Sequence, residues 1–190
     1  MSLDELAQRV NSIARLTGTF TLRSGQIATE YFDKYRFEAD PILLADIARA
    51  LVPLLPAGTE VLAGLELGGV PIATALSLQT GLPAAFVRKE AKTYGTAQLA
   101  EGADIVGKRV TVIEDVITTG GSTREVADSV SAAGAKVLAA GSIIDRSGGR
   151  ADVGVPRVAL ETLEAIAYQP EECPLCRQGL PLVKPGSRRT

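Results

Sequence analysis

The chain has 190 residues, of which 46% are hydrophobic and 22% are charged, so it is long enough for one globular domain with a full core. Its net charge of −2 at pH 7 argues against a nucleic-acid binder that depends on bulk positive charge. The absence of histidine excludes Ser-His-Asp and Cys-His catalysis and any His-ligated metal.

The N-terminal part of the sequence predicts two helices separated by short strands. A capping box formed by Ser2 and Glu5 starts the first helix, which we expect to end near Gly18. Loose alternation of apolar and polar residues through 19–37 predicts short strands. Asp40 is a capping residue followed by proline, and it starts the second helix.

From residue 60 onward, strands and helices alternate. The predicted strands are residues 60–63, 84–87, 110–114 and 137–144, with 157–160 as a further candidate. The predicted helices are residues 70–80 and 122–133. This alternation predicts an α/β fold with a mostly parallel twisted sheet flanked by helices. Ligands of such sheets bind beyond the carboxyl ends of the strands, where three unusual loops fall, at 64–69, 88–107 and 114–122.

The most informative loop lies within VTVIEDVITTGGST, residues 110–123, between a predicted strand and a helix. Its turn consists of Thr118, Thr119, Gly120, Gly121 and Ser122. Glycines let a backbone approach an anion closely, and the amides and dipole at a helix start attract negative charge. The turn therefore predicts a phosphate site. The alternative is a plain helix cap in which Ser122 and Glu125 form a capping box.

Two adjacent carboxylates, Glu114 and Asp115, end the strand before this turn. Neighbouring carboxylates repel each other and are costly to bury unless they bind something. The two carboxylates could accept hydrogen bonds from the hydroxyl groups of a sugar, or they could face a cation. The alternative is a pair of solvent-exposed loop acids. No Walker A or dinucleotide-binding fingerprint is present.

Three cations, Arg88, Lys89 and Lys92, open the segment 88–107, which lacks apolar periodicity. So long an irregular segment is either a functional lid or a sign of misassigned elements. Alone, these cations would suit a solvated surface loop. Beside a phosphate site at the same sheet edge, they suit the negative charge that builds on a departing diphosphate.

The stretch VTVIEDVITTGGST resembles the phosphoribosyl-diphosphate (PRPP) signature of the type I phosphoribosyltransferases. The segments TFTLRSG, VRKEAKTYGT and IIDRSGG resemble the orotate phosphoribosyltransferases within that family. The resemblance implies a type I phosphoribosyltransferase-like fold with a small hood subdomain. One domain would cover residues 1–190, with a core at about 39–150 and a hood built from about 1–38 and 151–190.

The resemblance also implies the residues that bind PRPP. Glu114 and Asp115 would hold the ribose hydroxyls. The 5-phosphate would be held by Val116, Ile117, Thr118, Thr119, Gly120, Gly121 and Ser122. Arg88, Lys89 and Lys92 would close over the diphosphate in a homodimer whose loop 88–107 is shared between subunits, and residues 64–69 would form the diphosphate loop. Lys92 and Asp115 would be the catalytic residues.

For orotate, the resemblance implies contacts from Thr118, Arg146 and Arg23, with Arg146 binding the carboxylate. The forked guanidinium of arginine suits a planar carboxylate, although an ion pair of Arg146 with Asp145 or a nearby acid is an alternative. Tyr31 and Phe32 would line the base pocket. Two departures from the family pattern are Tyr94, where a histidine is usual, and Glu66-Leu67, where some relatives have Tyr-Lys.

The implied reaction joins orotate to the 5-phosphoribosyl group of PRPP, giving orotidine 5-monophosphate and diphosphate in pyrimidine synthesis. We expect Mg²⁺ held mainly by the substrate diphosphate and water, because such ions keep few protein ligands. The alternatives are a purine phosphoribosyltransferase, which needs no arginine aimed at a carboxylate, and a PRPP-binding regulator without catalysis, which the acidic composition disfavours.

The ends of the chain add less. Cys173 and Cys176 cannot close a four-ligand zinc site within one chain, and we interpret them as an incidental thiol pair, with a redox pair or a metal shared across a dimer as alternatives. No stretch approaches the roughly 20 apolar residues that span a bilayer, and the N-terminus lacks a secretory signal. We therefore expect a cytoplasmic protein that binds neither membrane nor nucleic acid.

Overall fold

The structure, a computed structural model, describes residues 3–21, 27–88, 99–164 and 177. The chain divides into two compact units, Met1–Phe37 with Ile166–Thr190, and Glu38–Ala165. The sequence predictions on several residues lie outside the described residues: Ser2, Arg23, Lys89, Lys92, Tyr94, Cys173 and Cys176. None of the described helices is long and apolar enough to cross a membrane. The cytoplasmic location expected from the sequence stays a prediction.

The N-terminal region contains two helices and a pair of antiparallel strands. These elements are α1 (Leu3–Ala14), β1 (Arg15–Thr21), β2 (Ile27–Phe32) and α2 (Lys34–Glu38). The prediction that the first helix extends to Gly18 is wrong, because Gly18 lies inside β1. The Thr-rich and aromatic sequence of β1 favours an extended backbone that pairs with β2. The strand prediction for 34–37 is also wrong, since these residues are helical.

The larger unit contains a six-stranded sheet. Its elements are α3 (Pro41–Leu51), β3 (Val61–Leu65), α4 (Gly69–Thr80), β4 (Ala84–Val87), β5 (Ala100–Gly102), β6 (Arg109–Ile117), α5 (Gly121–Ala132), β7 (Lys136–Asp145) and β8 (Arg157–Thr162). The strand order is β5-β4-β3-β6-β7-β8, and only the β4–β5 pair is antiparallel among the pairs of this sheet. The predicted α/β fold with a mostly parallel sheet is confirmed.

Local sequence signals account for several element ends. The side chain of Asp40 accepts hydrogen bonds from the backbone N–H groups of Ile42 and Leu43, each at 3.0 Å, as the predicted cap of α3. Helix α4 ends at Thr80 and is capped by Gly81, whose φ of 75° places it in the left-handed region that favours glycine.

Helices cover both faces of the sheet. One face supplies alternating apolar residues from three neighbouring strands: Val61, Ala63, Leu65, Ala85, Val87, Val110 and Val112. Val126 and Val130 of α5 belong to the same buried cluster. On the opposite face α4 lies against Gly64, where an added Cβ would be 2.9 Å from the Cβ of Ala73. The alternation along each strand therefore separates two helix-packing surfaces.

The structure changes two predicted boundaries. Segment 88–107 is not irregular throughout, because β5 pairs with β4 and Ile105, which is 6% exposed, packs into the apolar cluster. Residues 151–164, which we assigned to the hood, belong to the larger unit because β8 pairs with β7. Both differences arise from strand pairing between residues that are distant along the chain.

Candidate active site

Four neighbouring parallel strands end at one edge of the larger unit, and each is followed by a segment that the sequence singled out. In strand order these are Arg88 after β4, the 66–68 turn after β3, the 114–122 segment of β6 and α5, and Arg146 after β7. Three interstrand spacings of about 4.8 Å make this edge about 14 Å wide. The candidate site residues therefore lie together in space. In the sequence, Arg88 and Arg146 are the ends of a stretch of 59 residues, and the 66–68 turn comes before that stretch.

The two acidic residues lie inside β6, which continues to Ile117 because it pairs with β7 as far as Asp145. Glu114 is 9% exposed and Asp115 is 1% exposed, so the alternative of solvent-exposed loop acids is wrong. A carboxylate oxygen of Glu114 accepts the Asp115 N–H at 3.1 Å, and Asp115 Oδ1 accepts the Val116 N–H at 2.5 Å. Main-chain donors thus orient both carboxylates.

The glycine-rich turn after β3 lies directly against Asp115. A Cβ added to Gly68 would be 1.7 Å from Asp115 Oδ2, and one added to Gly69 would be 2.1 Å from the carbonyl oxygen of Ile113. No side chain fits at either position unless the backbone moves. The preceding peptide bond, Glu66-Leu67, is cis. The structure therefore places the predicted diphosphate loop beside the predicted ribose-binding acids.

The turn between β6 and α5 is open to solvent. Thr118, Thr119, Gly121 and Ser122 are exposed, and Gly120 caps α5 with a φ of 84°. A Cβ added to Gly121 would meet only Thr119 Oγ1, at 3.9 Å. Since the capping position belongs to Gly120, the alternative capping box of Ser122 and Glu125 is excluded. The first amides of α5, which have no partner within the helix, face a space that could hold an anion.

Arg88 and Glu66 form the charged end of this edge. Arg88 Nη1 lies 3.9 Å from Glu66 Oε2, and both side chains are partly exposed. The backbone N–H of Arg88 donates to the carbonyl oxygen of Leu99 at 3.0 Å, while its buried Nε has no hydrogen bond within the described part of the chain. Glu66, one of the two departures from the family pattern, therefore faces a cation.

Arg146 is exposed, and its N–H donates to the carbonyl oxygen of Ile117 at 2.8 Å, which places it beside the start of the 118–122 turn. The proposed ion pair with Asp145 does not occur among the described residues. Asp145 instead contacts Arg157 Nε at 2.7 Å and accepts hydrogen bonds from the N–H and hydroxyl of Ser147. Burial alone would raise the pKa of Asp145, but Ser147 and Arg157 outweigh it and lower that pKa.

The sequence analysis missed Arg157 and Ser147. The one local signal for Arg157 is its position directly before the apolar run of a predicted strand. A charged side chain that becomes buried at such a position needs a partner of opposite charge. That signal does not identify Asp145 as the partner. Ser147 follows the strand end as an ordinary turn residue, and nothing in its neighbours distinguishes it.

Tyr31 lies in β2 of the smaller unit, where its ring centroid is 5.6 Å from that of Phe20 in β1. This ring contact stabilises the two-stranded pair, in which Leu16 is the residue opposite Tyr31. The expected role of Tyr31 in a base pocket stays a prediction. The side chain of Phe32 lies outside the described part of the structure.

The described residues contain no group of three or more His, Cys, Asp and Glu side chains that could hold a metal ion. The site nevertheless offers carboxylate oxygens from Glu66, Glu114 and Asp115, which are the type of donor that Mg²⁺ prefers. These donors fit an ion that arrives bound to a diphosphate and retains most of its other ligands.

Residues 36–174 match the family described as the phosphoribosyl transferase domain. The chain is 62% identical over 148 residues to the orotate phosphoribosyltransferase of Nocardioides sp., covering 77% of this chain and 83% of that protein. It also resembles the orotate phosphoribosyltransferase of Mycobacterium tuberculosis H37Rv in complex with Fe(III) dicitrate, with a TM-score of 0.76, 33% identity and coverage of 85% of this chain and 96% of that chain. Against the same enzyme in complex with PRPP the TM-score is 0.72 at 30% identity, with the same two coverages.

Proposed function

Since this chain belongs to the phosphoribosyltransferase family, among the orotate phosphoribosyltransferases, we propose that the edge formed by β4, β3, β6 and β7 is its active site. The enzyme transfers the 5-phosphoribosyl group of PRPP to orotate, giving orotidine 5-monophosphate and diphosphate in pyrimidine synthesis. The observation that carries the assignment of the site is the open start of α5 beside the buried carboxylate of Asp115.

In this proposal, PRPP lies along the strand ends. Residues 116–122 hold the 5-phosphate through the amides and hydroxyl groups at the start of α5. Glu114 and Asp115 accept hydrogen bonds from the ribose hydroxyls, since a carboxylate held by main-chain donors loses little freedom on binding. The 66–68 turn brings its backbone to the diphosphate because glycine at 68 permits the close approach.

Negative charge builds on the diphosphate as its bond to the sugar carbon breaks. Arg88 stands at the site edge, Lys89 is the next residue in the sequence, and Lys92 is four positions after Arg88. Cations placed for that charge lower the barrier, each by about 2–4 kcal/mol when well positioned. We assign Lys92 this role and Asp115 that of holding the ribose in its reacting geometry. Mg²⁺ bound to the diphosphate would supply further charge neutralisation while keeping few protein ligands.

Orotate would meet Arg146 and Thr118, which follow β7 and β6 and lie at the same edge. A guanidinium can donate two parallel hydrogen bonds to the orotate carboxylate, which uracil and the purine bases lack. Arg23, Tyr31 and Phe32 are assigned to the base on the strength of the family resemblance alone.

A base screen tests the assignment of the base subsite. Diphosphate release with PRPP and Mg²⁺ is measured for orotate, uracil, adenine, guanine, hypoxanthine and xanthine. We expect turnover with orotate, and Arg146→Ala should lower kcat/KM for orotate about 100-fold, the effect of losing a bidentate charged contact. Arg146→Lys is the matched control, since it keeps the charge but not the fork, and it should recover only part of the loss. A purine preferred over orotate would refute the assignment.

We also propose a homodimer in which the loop over each site comes from the partner subunit. Because residues 99–107 are anchored in their own sheet and core, the exchanged part of the predicted 88–107 loop is limited to the residues between Arg88 and Leu99. Mixing Lys92→Ala and Asp115→Asn subunits tests this arrangement. If the loop is exchanged, one heterodimer site carries both lesions and the other carries neither, so activity should return in the mixture. A mixture no more active than its components would exclude exchange.

A further inference from the structure

Arg157, the first residue of β8, holds both ends of the turn that follows β7. Its side chain is 17% exposed, and its Nε lies 2.7 Å from Asp145 Oδ2. The two terminal nitrogens donate to the backbone carbonyl oxygens of Ala151 and Gly149. One planar group therefore contacts the end of a strand and two points of the turn beyond it.

The rest of the turn is closed around the same carboxylate. Asp145 is 1% exposed, and its Oδ1 accepts the N–H of Ser147 at 2.8 Å and the hydroxyl of Ser147 at 2.6 Å. The Ser147 hydroxyl oxygen in turn accepts the N–H of Ala151 at 2.8 Å. The turn needs these tethers because Gly148 and Gly149, at φ of 63° and 82°, give its backbone wide conformational freedom.

This turn carries the candidate base-binding residue and also supports the phosphate turn. Arg146 lies between Asp145 and Ser147 and is exposed, while its N–H is bonded to Ile117. Just beyond the turn, Val153 Cγ1 would be 3.0 Å from a Cβ added to Gly120, and the carbonyl oxygen of Asp152 would be 3.1 Å away. A displacement of the turn would therefore move Arg146 directly. It would also disturb the contacts that Asp152 and Val153 make beside Gly120.

We propose that Arg157 is a positioning residue for the orotate subsite, acting through the 145–151 turn that presents Arg146. The proposal rests on the assignment of Arg146 to the orotate carboxylate. Arg157 itself does not contact substrate, because its guanidinium is occupied by an ion pair with Asp145 and by hydrogen bonds to two carbonyl oxygens of its own chain. Lysine cannot replace it, since a single ammonium group cannot reach all three acceptors in the geometry of a fork.

A purely structural role for Arg157 would predict different kinetics. Loss of a stabilising contact lowers the unfolding temperature and the amount of active enzyme, but it leaves KM for each substrate unchanged. A positioning role changes KM for orotate through Arg146. It also predicts that the effect disappears once the Arg146 side chain has been removed, because two residues in one pathway show non-additive effects.

The test compares Arg157→Met with Arg157→Lys, each made in the wild-type and Arg146→Ala backgrounds. We expect Arg157→Met to raise KM for orotate about tenfold, the effect of losing hydrogen bonds to a charged group, and to raise KM for PRPP less. In the Arg146→Ala background the same change should alter KM for orotate by less than about twofold. Arg157→Lys retains the charge beside Asp145 and keeps the test decisive if the methionine variant does not fold.

Arg150→Met is the matched control, since Arg150 belongs to the same turn but its side chain forms an exposed ion pair with Glu164 at 2.8 Å. It should leave KM for both substrates unchanged. The proposal is overturned if both Arg157 variants keep KM for orotate within about twofold of wild type, or if the Arg157 and Arg146 effects multiply. A wild-type enzyme that does not use orotate would refute the base assignment instead, so the two failures are distinguishable.

Discussion

Two neighbouring strands, β6 and β7, each carry an aspartate that is 1% exposed near the carboxyl end, and the segments that follow them differ. Asp145 contacts Arg157 and accepts two hydrogen bonds from Ser147. Asp115 accepts the Val116 N–H and lies against the main chain of Gly68. The turn after Asp115 is exposed and leads into the open start of a helix.

The difference separates a carboxylate that braces the fold from one that we propose to bind the ribose. A guanidinium and a hydroxyl from the same chain stabilise the charged form of Asp145 and hold its turn in place. Asp115 instead lies against a glycine turn, in the strand that leads to the start of α5, where the proposed ribose and phosphate sites meet. Burial alone does not distinguish the two roles, but the surroundings of each carboxylate do.

The largest expected effect follows from removing the charge of Asp115. Asp115→Asn should lower kcat/KM for orotidine 5-monophosphate formation about 100- to 1000-fold, since hydrogen bonds to a charged group in a desolvated site are lost. The unfolding temperature should change little, because the Val116 N–H can donate to an amide oxygen as well as to a carboxylate. Steady-state assays and thermal unfolding measure the two quantities. Activity within tenfold of wild type would contradict a role for this carboxylate in the reaction.

A second change tests whether the glycine turn must lie against Asp115. In Gly68→Ala the new Cβ would be 1.7 Å from Asp115 Oδ2, so either the turn or the carboxylate must shift. We expect kcat/KM to fall about 10- to 100-fold, the cost of misplacing a reacting group by about 1 Å. Leu78→Ala, at an exposed position of α4, is the control and should be silent. An active Gly68→Ala enzyme would show that the close approach is dispensable.

The contacts of Asp145 with Arg157 and Ser147 should stabilise the fold only at a pH at which Asp145 is charged. Asp145→Asn is expected to reduce the free energy of unfolding at pH 7 by about 3 kcal/mol, as for a broken buried ion pair. Because the pKa of Asp145 is lower in the folded state, its contribution is present above the ordinary value near 4 and is lost as pH falls through the folded pKa. Urea unfolding of both proteins at pH 7 and pH 3 checks this. If the two proteins differ in free energy of unfolding by the same amount at both pH values, the expected loss of the Asp145 contribution at low pH is contradicted.

The smallest expected effect concerns the ion pair of Glu66 and Arg88. Its partners are partly exposed and 3.9 Å apart, so the pair contributes at most about 1 kcal/mol. Glu66→Gln removes a negative charge beside the proposed diphosphate site, and KM for PRPP should fall about twofold at low salt and less at high salt. Glu60→Gln is the matched control, because Glu60 pairs with Arg109 at the opposite end of β6. An equal change in both variants would show that no local effect exists.

Local patterns in the sequence were sufficient for much of the fold. The Asp40 cap, the helix that ends before Gly81 and the strand 84–87 were all predicted, because each depends on residues within one or two turns of chain. The order of elements also placed the loops at 64–69, 88–107 and 114–122 at one sheet edge, while Arg146 was identified through the family resemblance. The motif resemblance then indicated the chemistry of that edge.

The errors arose where distant partners decide the structure. Gly18 lies in a strand because β1 pairs with β2, and Ile105 is buried because it packs on three strands from other parts of the chain. The acids were predicted at the end of a strand, whereas pairing with β7 extends that strand through both of them. A single sequence contains no direct signal of such pairings when the intervening chain is long.

The sequence by itself determined the alternation of elements, the glycine-rich turns and the phosphate motif, because hydrophobic period and turn chemistry act over a few residues. Only the tertiary structure decided that Gly68 lies against Asp115 and that Arg157, rather than Arg146, neutralises Asp145. Those facts depend on which side chains meet after the sheet has formed. Burial raises the energetic cost of a wrong contact, because a charge removed from water needs a partner within reach.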